Sequence, residues 1–366
     1  MSTAGIDTAL DRYVTLGHSG LRVSPLCLGT MTFGEEWGWG STVDDSTAII
    51  DAYLDKGGNF LDTANIYTKG HSEAIIGDHF SARGDRDRVV IATKCTGNMF
   101  LGDPNGGGNG RKALMASVDE SLRRLKTDYI DLLWSHFWDQ NTPITEMLAT
   151  FDDLVRAGKV RYVGLSDHPA WVCASAQYEC RANGWAPIVG LQIEHSLIER
   201  SVEGELMPMA RELGMGVTPW SPLKYGILTG KYTRESSPKK GEARAADSKA
   251  LDERAYTIID ALLEVAKEVN AEPAQVALRW VQDRPGVSST IIGARTMKQL
   301  ESNLGALGVS LSAEQTTRLD EASAMKQAFP FDFVEGVKPV IQGGTTINGT
   351  SRDAWNMAPA NNDERW

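Results

Sequence analysis

The stretch Asn59-Phe60-Leu61-Asp62-Thr63-Ala64-Asn65-Ile66-Tyr67 decides the fold, because a short apolar run ends in a carboxylate and a phenol follows in the next loop. Two later runs have the same form. One ends at Lys94 and the other ends at His136. Short, continuous apolar runs are typical of parallel strands buried on both faces. In a parallel barrel, the active site lies at the carboxyl ends of the strands. The pattern therefore predicts that Asp62, Tyr67, Lys94 and His136 meet at one rim, and we call these four residues the rim tetrad.

The same strand-then-helix unit continues along the chain. It follows a predicted N-terminal β-hairpin, Tyr13–Leu16 with Arg22–Ser24. The predicted strands are Leu26–Leu28, Phe60–Thr63, Val89–Thr93, Ile130–Trp134, Tyr162–Leu165, Val189–Ile193, Val217–Trp220 and Thr290–Ile292. Eight strands that alternate with helices favour an α/β fold with a single (β/α)8 TIM barrel over a doubly wound sheet. The loop after the first strand also lacks the GxGxxG pattern expected in a doubly wound sheet.

Other residues indicate where helices begin, and the extent of the barrel pattern gives the expected domain limits. Asp44 and Asp45 are candidate caps of the first helix, and Thr142-Pro143 predicts a helix that begins with a threonine cap. Glu272-Pro273 predicts another helix start. We expect a flexible N-terminus over residues 1–12, the barrel over 13–328, and a tail over 329–366 that packs near the barrel mouth.

Composition limits the class of protein. The chain has 366 residues, 42% of them hydrophobic, and a formal net charge of −11, which argues against a nucleic-acid partner. It has no apolar run of the ~18 residues that cross a membrane, and no secretory signal is recognisable near residue 1. We therefore expect a cytoplasmic protein with reduced cysteines and no membrane partner. A homo-oligomer is left open.

Two other kinds of site fit the sequence less well. The glycine-rich segment 102–110 resembles a phosphate-binding loop, but Arg111-Lys112-Ala113 follows where a P-loop requires Lys-Ser/Thr. We expect it to be a substrate-side loop, and the polar segment 233–251 to lie over a ligand. His136 and Asp139 could bind a metal with His168 or His195, but no pair has a characteristic zinc spacing, so no metal is predicted.

The rim tetrad suits proton transfer to a carbonyl group. An isolated tyrosine has a pKa of about 10, which is too high for an efficient acid near neutral pH. Lys94 is expected to lower the pKa of Tyr67, and Asp62 to hold Lys94 in place. His136 would orient the carbonyl oxygen. Taken one at a time, the same residues also fit a salt bridge, a structural histidine and a surface tyrosine.

Several ordered motifs resemble the aldo-keto reductase superfamily from about Tyr13 to Leu307. They are Leu61-Asp62-Thr63-Ala64 with Tyr67, Thr93-Lys94, His136, Gly164-Leu165-Ser166, Leu191-Gln192, Trp220-Ser221-Pro222-Leu223 and Ile292-Gly293-Ala294-Arg295. Met31-Thr32-Phe33-Gly34, Trp138-Asp139 and Phe329-Pro330-Phe331 are most similar to the branch of aryl-alcohol dehydrogenases and norsolorinic acid reductases. Some bacterial reductases of ring ketones on sugars or polycycles are also similar.

The resemblance implies an NADPH-dependent reductase of aldehydes or ketones, with the rim tetrad as its catalytic residues and NADPH/NADP+ extended across the rim. The cofactor-binding residues that it implies are Thr30, Met31, Asp62, Ser166, Asp167, Gln192, Trp220, Ser221, Leu223, Gly226, Lys231, Gly293, Arg295, Gln299 and Asn303. Asp167 stands where the family commonly has asparagine, and His195 where it often has tyrosine. The roles of these two residues are therefore open.

Aromatic residues in the rim loops predict the substrate pocket. They are Trp37, Trp39, Phe100, Phe137 and Trp138. A large aromatic pocket favours bulky aromatic or cyclic carbonyl compounds, such as ring ketones of sugars or polycyclic mycotoxins. Ordinary loop packing is the alternative. A function of another class is a non-catalytic NADPH-binding regulatory subunit that resembles potassium-channel β subunits, and the intact rim tetrad weighs against it.

Overall fold

The computed structural model describes residues 9–236 and 250–366, and the chain divides into one unit up to Ser323 and another from Ala324. The first unit begins with an antiparallel hairpin of β1 (Val14–Thr15) and β2 (Arg22–Val23). Eight parallel strands follow. They are β3 (Leu26–Gly29), β4 (Phe60–Asp62), β5 (Val90–Cys95), β6 (Ile130–Ser135), β7 (Val160–Ser166), β8 (Ile188–Glu194), β9 (Gly216–Trp220) and β10 (Thr290–Gly293).

The sheet curls until its two ends meet. Strands β3 to β9 pair in chain order, and β10 pairs with β3. Across the remaining gap, the amide of Val217 donates to the carbonyl of Gly286 at 3.0 Å, and the amide of Ser288 donates to the carbonyl of Val217 at 2.8 Å. The sheet is thus nearly closed, which confirms the predicted (β/α)8 barrel and its N-terminal hairpin. Each predicted strand end lies within two residues of the observed one.

Side chains inside the barrel belong to alternate positions of the strands. In β5 and β6, Val90, Ala92, Leu132 and Trp134 join the inner cluster, whereas the residues between them face the helices. The fully buried Trp134 ring is the largest member of this cluster. A Cβ atom on Gly164 would lie 2.3 Å from that ring, and one on Gly190 would lie 2.8 Å from it. The two glycines of β7 and β8 therefore make room for the indole.

The hairpin covers the end of the barrel opposite the rim. Leu16, Leu21 and Val23 pack into the inner cluster, and the amide of His18 donates to the carbonyl of Gly214, just before β9. Gly17 has a φ of 56°, and a Cβ there would lie 2.4 Å from the carbonyl oxygen of Gly214. Only glycine fits at so close an approach. Because the hairpin closes this end, ligands reach the barrel from the rim, at the carboxyl ends of the strands.

Helices surround the sheet in the first unit. They are α1 (Val43–Asp55), α2 (His71–Arg83), α3 (Arg111–Leu125), α4 (Ile144–Arg156), α5 (Ala170–Asn183), α6 (Leu206–Leu213), α7 (Glu253–Glu268), α8 (Pro273–Gln282), α9 (Met297–Leu304) and α10 (Ala313–Ala322). The helix start predicted at Glu272-Pro273 is confirmed, and Glu272 forms a capping box there with Gln275. The two predicted caps of α1 and α4 were wrong. Thr42 caps α1, since its hydroxyl accepts from the amide of Asp45, and the hydroxyl of Thr142 donates to Asp139 instead of capping α4.

The second unit contains α11 (Phe331–Gln342) and a short hairpin of β11 (Thr346–Ile347) with β12 (Thr350–Ser351). The predicted domain limits and the position of the tail stay predictions. Residues 1–8 of the predicted flexible N-terminus, and residues 237–249 of the polar segment 233–251 that was expected to lie over a ligand, lie outside the described residues. Leu10 is fully buried. None of the described helices combines the length and the apolar character that crossing a membrane requires.

Candidate active site

Three neighbouring strands bring the rim tetrad together. Asp62 is the last residue of β4, Lys94 is the last but one of β5, and His136 directly follows β6. Tyr67 opens a 3-10 turn that runs to Gly70, between β4 and α2. Because neighbouring parallel strands end at the same rim, the side chains converge there. The structure therefore places all four predicted residues at one site.

The Lys94 ammonium group is fully hydrogen-bonded within the site. It donates to Oδ2 of Asp62, to the Thr63 carbonyl at 2.8 Å and to the Tyr67 hydroxyl at 3.1 Å. An ammonium group has three N–H donors, so each has a partner. Burial alone would lower the pKa of Lys94, but Asp62 and Tyr67 outweigh burial and raise it to about 12. Lys94 is therefore a fixed positive charge beside the phenol.

The pKa of Tyr67 differs from the expectation. Burial has the largest effect and raises the pKa above its usual value, while Lys94 acts in the opposite direction. The predicted net lowering was therefore wrong, and Tyr67 is protonated at neutral pH. Since Lys94 donates to the hydroxyl oxygen, the phenolic hydrogen points away from Lys94. Such a phenol can give a proton, and the ammonium then stabilises the phenolate that is left.

The turn that carries Tyr67 has an uncommon backbone. Thr68, Lys69 and Gly70 have φ values of 46°, 60° and 90°, in the left-handed region that non-glycine residues seldom adopt. The buried Thr68 hydroxyl donates to the Phe33 carbonyl at 2.7 Å and accepts from the Ser72 amide at 3.0 Å. These bonds hold the strained turn in place and thereby set the position of the Tyr67 ring.

His136 is a neutral imidazole. Burial, and then the charge of Lys94, lowers its pKa to about 2. Its Nδ1 atom is buried and has no hydrogen-bond partner among residues 9–236 and 250–366. The ring lies edge-on to Tyr67, with 5.9 Å between ring centroids, and stacks on Phe137 at 3.9 Å. A neutral ring held in this way can form a hydrogen bond with a substrate oxygen without changing the charge of the site.

A second group of predicted residues lies at the ends of β7, β8 and β9. The Gln192 amide group donates to Oδ1 of Asp62 at 2.9 Å, which connects this group to the tetrad. The backbone amide of Asp167 donates to the Gln192 carbonyl at 3.1 Å. The buried Ser166 hydroxyl lies close enough to Asp167 to lower the pKa of that carboxyl, but it forms no hydrogen bond of acceptable geometry with any residue that the structure describes. An unpaired buried hydroxyl is unfavourable, so Ser166 is suited to a ligand that bears an amide.

Asp167 is fixed against Trp220, which ends β9. The indole N–H donates to Oδ1 of Asp167 at 3.0 Å, and the Asp167 backbone has a φ of 51°. Desolvation raises the pKa of Asp167 to about 6, and the Trp220 N–H and Lys94 oppose this rise. The residue as a whole stays exposed, so water screens part of the effect. Asp167 therefore takes up a proton at a higher pH than an ordinary aspartate does.

The residues implied for the two ends of the cofactor follow β9 and β10. Gly226 has a φ of 87°, and a Cβ there would lie 3.3 Å from Nζ of Lys231, in the turn that also holds Ser221 and Leu223. After β10, the Asn303 amide group donates to the Gly293 carbonyl at 3.0 Å. The Gln299 side chain accepts from the Arg295 amide at 2.8 Å. At the end after β10, the implied residues are thus linked in pairs by hydrogen bonds.

The guanidinium group of Arg295 is available to bind a ligand. It is exposed at the start of α9, and its guanidinium group has no hydrogen-bond or ion-pair partner within the described ranges. Lys298 is exposed one turn later. A guanidinium group and an ammonium group near a helix N-terminus suit a phosphate. The unpaired Ser166 hydroxyl belongs to the other end of the implied cofactor site. Together, Ser166, Arg295 and Lys298 fit a dinucleotide that carries an extra phosphate.

Thr30 and Met31 lie in the loop after β3. The fully buried Thr30 hydroxyl donates to the Asp62 carbonyl at 3.1 Å and also accepts from Ser72 at 2.9 Å. Met31 is half-buried. The Thr30 side chain thus supports the end of β4, and a contact between this loop and the cofactor stays a prediction.

The predicted aromatic pocket residues divide between two places. Trp37 lies 6.3 Å from the Tyr67 ring, and Phe137 stacks on His136. Trp138, Asp167 and Trp220 line a cavity of about 480 Å³, which we call the tryptophan cavity. Phe100 lines a different cavity, of about 120 Å³, and no residue of the rim tetrad lines either of the two cavities. Of the five predicted aromatic residues, the structure thus brings Trp37, Phe137 and Trp138 to the rim, with Trp39 at 5.6 Å from the Trp37 ring, but not Phe100.

The histidines considered as metal ligands have other partners. His168 bonds the Ser166 carbonyl at 2.7 Å, and His195 bonds Glu203 at 2.9 Å. Within the described part of the chain, no three His, Cys, Asp or Glu residues are grouped so that they could hold a metal ion. The His195 backbone amide donates to the Trp220 carbonyl at 3.3 Å, so His195 helps to hold the end of β9 in place.

The sequence did not predict two contacts of the site. The Thr63 carbonyl is the third acceptor of Lys94, and the backbone amide of Asn65 donates to the Lys94 carbonyl at 3.1 Å. Both are backbone contacts, and every residue type except proline has both groups, so no side-chain pattern marks them.

Comparison with known proteins identifies the family of the chain. A model of the aldo/keto reductase family matches residues 25–324. The chain is 35% identical over 348 residues to norsolorinic acid reductase of Aspergillus flavus, which covers 93% of this chain and 87% of that protein. It is 36% identical over 343 residues to the aryl-alcohol dehydrogenase (NADP+) of Phanerodontia chrysosporium, with 88% and 89% covered. An uncharacterized oxidoreductase of Bacillus subtilis is 39% identical over 321 residues, with 84% and 95% covered. Since the family match covers the barrel and its rim, the chain belongs to the aldo/keto reductase family, whose oxidoreductases act on small-molecule carbonyls with nicotinamide cofactors.

Proposed function

We propose that the protein reduces aldehydes or ketones to alcohols, with NADPH as the hydride donor and Tyr67 as the proton donor. The observation that carries this proposal is the Lys94 ammonium group, which Asp62 and Thr63 hold in place so that its third N–H points at the Tyr67 hydroxyl. A salt bridge with only a structural role would not need a phenol as its third partner.

The chain would act on the carbonyl oxygen. NADPH supplies the hydride to the carbonyl carbon. As negative charge develops on the oxygen, Tyr67 donates its proton, and Lys94 stabilises the resulting phenolate. His136, neutral at all relevant pH values because its pKa is about 2, would orient the oxygen through a hydrogen bond.

The second group of rim residues would hold the cofactor. The unpaired Ser166 hydroxyl and the Gln192 amide suit the nicotinamide carboxamide, and the flat face of Trp220 suits its ring. The turn that contains Ser221, Leu223, Gly226 and Lys231 would bind the pyrophosphate. Gly293, Arg295, Gln299 and Asn303 would bind the adenosine end, with Arg295 on the 2′-phosphate.

We infer that the substrates are bulky aromatic or cyclic carbonyl compounds. The tryptophan cavity has about 480 Å³, within the range of small-molecule sites, and includes Trp138, Asp167 and Trp220 of the rim. Trp37 and Phe137 contact Tyr67 and His136 of the tetrad. Relatives that are named norsolorinic acid reductase and aryl-alcohol dehydrogenase support the same class.

The direct test is NADPH consumption with 4-nitrobenzaldehyde and a panel of ring ketones, repeated with NADH. We expect turnover with NADPH and faster reduction of cyclic or aromatic substrates than of small aliphatic ones. Tight NADPH binding without turnover on any carbonyl compound would contradict the proposal. That result would favour a non-catalytic NADPH-binding regulatory subunit.

Asp167 should make the relative affinity for NADP+ and NADPH depend on pH. The nicotinamide ring is positively charged only in NADP+, and two opposite charges about 4 Å apart in water attract by about 1 kcal/mol. At pH 8, Asp167→Asn should therefore weaken NADP+ relative to NADPH by about 5-fold. Because the pKa of Asp167 is about 6, the carboxylate is lost below that pH, and the wild-type ratio at pH 5 should approach that of the variant.

The two dissociation constants can be measured by quenching of tryptophan fluorescence at pH 5 and pH 8. Both cofactors carry the 2′-phosphate, so its titration cancels in the ratio. Lys94 and Glu194 also act on Asp167, but neither is altered in the variant. A wild-type ratio that is the same at both pH values would show that Asp167 does not affect the ring.

A further inference from the structure

The glycine-rich segment 102–110 ends beside His136. The Gly108 amide donates to the Thr96 carbonyl at 2.8 Å, which joins the segment to the loop directly after β5. Gly108 has a φ of 91°, in the left-handed region that favours glycine. Asn109 follows, and only 2% of it is exposed. The segment therefore brings one buried amide side chain to the end of β6.

The Asn109 side chain is hydrogen-bonded on both sides of His136. Its Oδ1 accepts from the Ser135 hydroxyl at 3.0 Å, and its Nδ2 donates to the Phe137 carbonyl at 2.8 Å. Since a carbonyl can only accept, the amide cannot be turned around. Oδ1 also accepts from the Thr96 hydroxyl at 2.7 Å, and that hydroxyl accepts from the His136 amide at 3.1 Å. We call the Asn109 side chain and the Thr96 hydroxyl the histidine clamp.

Thr96 has a backbone conformation that requires such contacts. Its φ of 82° lies in the left-handed region, where a β-branched residue is an outlier. Strain of this kind persists only where the surrounding structure imposes it, and it is concentrated at functional sites. The bonds of Thr96 to Asn109, to the His136 amide and to the Gly108 amide impose it here. The strain at Thr96 therefore points to a requirement for the exact position of this backbone.

The imidazole ring of His136 depends on the same backbone. Among residues 9–236 and 250–366, the ring forms no hydrogen bond. Phe137 stacks on it with 3.9 Å between ring centroids, and Asn109 holds the Phe137 carbonyl. Because no hydrogen bond to another side chain fixes the ring, its position follows from the backbone on both sides and from Phe137.

We propose that Asn109 is a positioning residue for carbonyl reduction, which sets the His136 imidazole where it meets the carbonyl oxygen. The inference rests on the proposed function, in which His136 orients that oxygen. Asn109 touches neither the substrate nor NADPH in this role. It acts through the backbone of His136 and through Phe137. A change at Asn109 should therefore alter the chemical step and leave NADPH binding unchanged.

The test is the kinetics of Asn109→Ala with 1-tetralone, an aromatic ring ketone, and NADPH. Misplacement of a reacting group by about 1 Å can cost about 10²-fold in rate, so we expect kcat per NADPH-binding site to fall by about 10- to 100-fold. KM should change less than about 2-fold, as when an interaction acts only in the transition state. Asn105→Ala makes the same change at an exposed position of the same segment and should leave kcat unchanged. Wild-type kcat in Asn109→Ala would overturn the proposal.

Variants of Thr96 test the clamp if Asn109→Ala fails to fold. Thr96→Val removes the hydroxyl that joins Asn109 to the His136 amide, whereas Thr96→Ser keeps it. We expect Thr96→Val to lower kcat by about 10-fold or more and Thr96→Ser to restore it. A purely structural role would lower the amount of protein that binds NADPH, but not kcat per binding site. Equal kcat in the wild type and Thr96→Val would also overturn the proposal.

Exchange of the His136 amide with deuterium tests the clamp without turnover. Labelling with ¹⁵N-histidine gives six amide signals, since the chain has six histidines. In Asn109→Ala the His136 amide should exchange about 10-fold faster or more, because its acceptor Thr96 loses a partner. The His18 amide, at the opposite end of the barrel, should exchange at its wild-type rate. Unchanged exchange at His136 would refute the clamp. If the wild type reduced no carbonyl compound, the proposed reductase activity would fail, and the exchange rate would still decide whether Asn109 holds this backbone.

Discussion

Replacing Tyr67 by phenylalanine should lower the turnover number for carbonyl reduction by about 10²- to 10⁴-fold, the usual contribution of a positioned proton donor. The change removes only the hydroxyl group, so the ring should keep its contacts with Trp37 and His136. NADPH affinity should stay nearly the same. Turnover is measured from NADPH absorbance, and NADPH affinity from fluorescence.

Tyr178→Phe is the matched control. Tyr178 lies on α5 and is 60% exposed, so removal of its hydroxyl should change neither turnover nor NADPH binding. In Tyr67→Phe, Lys94 also loses one of its three acceptors, so the thermal unfolding of both variants should be compared. Normal turnover in a folded Tyr67→Phe protein would exclude Tyr67 as the proton donor.

Replacing Arg295 by alanine should weaken NADPH by roughly 10- to 100-fold and hardly affect NADH. The 2′-phosphate adds up to two negative charges that NADH lacks, and a charge-assisted hydrogen bond contributes about 1.5–3 kcal/mol. The guanidinium group has no partner within the described ranges, so its removal breaks no ion pair. Lys298 is close in sequence and could contribute a smaller part.

The dissociation constants of both cofactors should be measured for Arg295→Ala and for Arg88→Ala. Arg88 is exposed before β5 and serves as the control for loss of a surface charge. Equal losses of NADPH and NADH affinity in Arg295→Ala would show that Arg295 supports the fold or the adenine, and that it does not recognise the phosphate.

The barrel was predictable because its strands are buried on both faces. Runs such as Val89–Thr93 are continuously apolar, and each ends at a polar residue of the rim, so both the strand and its end can be recognised in the sequence. Helix starts were less predictable. Thr142 precedes a proline as a capping residue would, but Asp139 lies three residues earlier and accepts its hydroxyl hydrogen instead. Such competition between local polar groups depends on the folded loop.

The rim tetrad was predictable, whereas its electrostatics were not. Charge alone suggests that Lys94 lowers the pKa of Tyr67, but burial has the larger effect, and burial depends on how loops from other strands pack. Phe100 shows the same limit. The sequence places it in a rim loop, but only the folded loop shows that Phe100 lines the smaller cavity, of about 120 Å³, together with Asn65.

The indole beneath the site limits how the protein can change. Trp134 occupies the space that side chains at Gly164 and Gly190 would need, so the three positions on β6, β7 and β8 are energetically coupled. A larger residue at either glycine is tolerated only if Trp134 becomes smaller in the same variant. Single substitutions that alter substrate preference are therefore confined to the loops above the rim. Below the rim, Trp134, Gly164 and Gly190 can change only together.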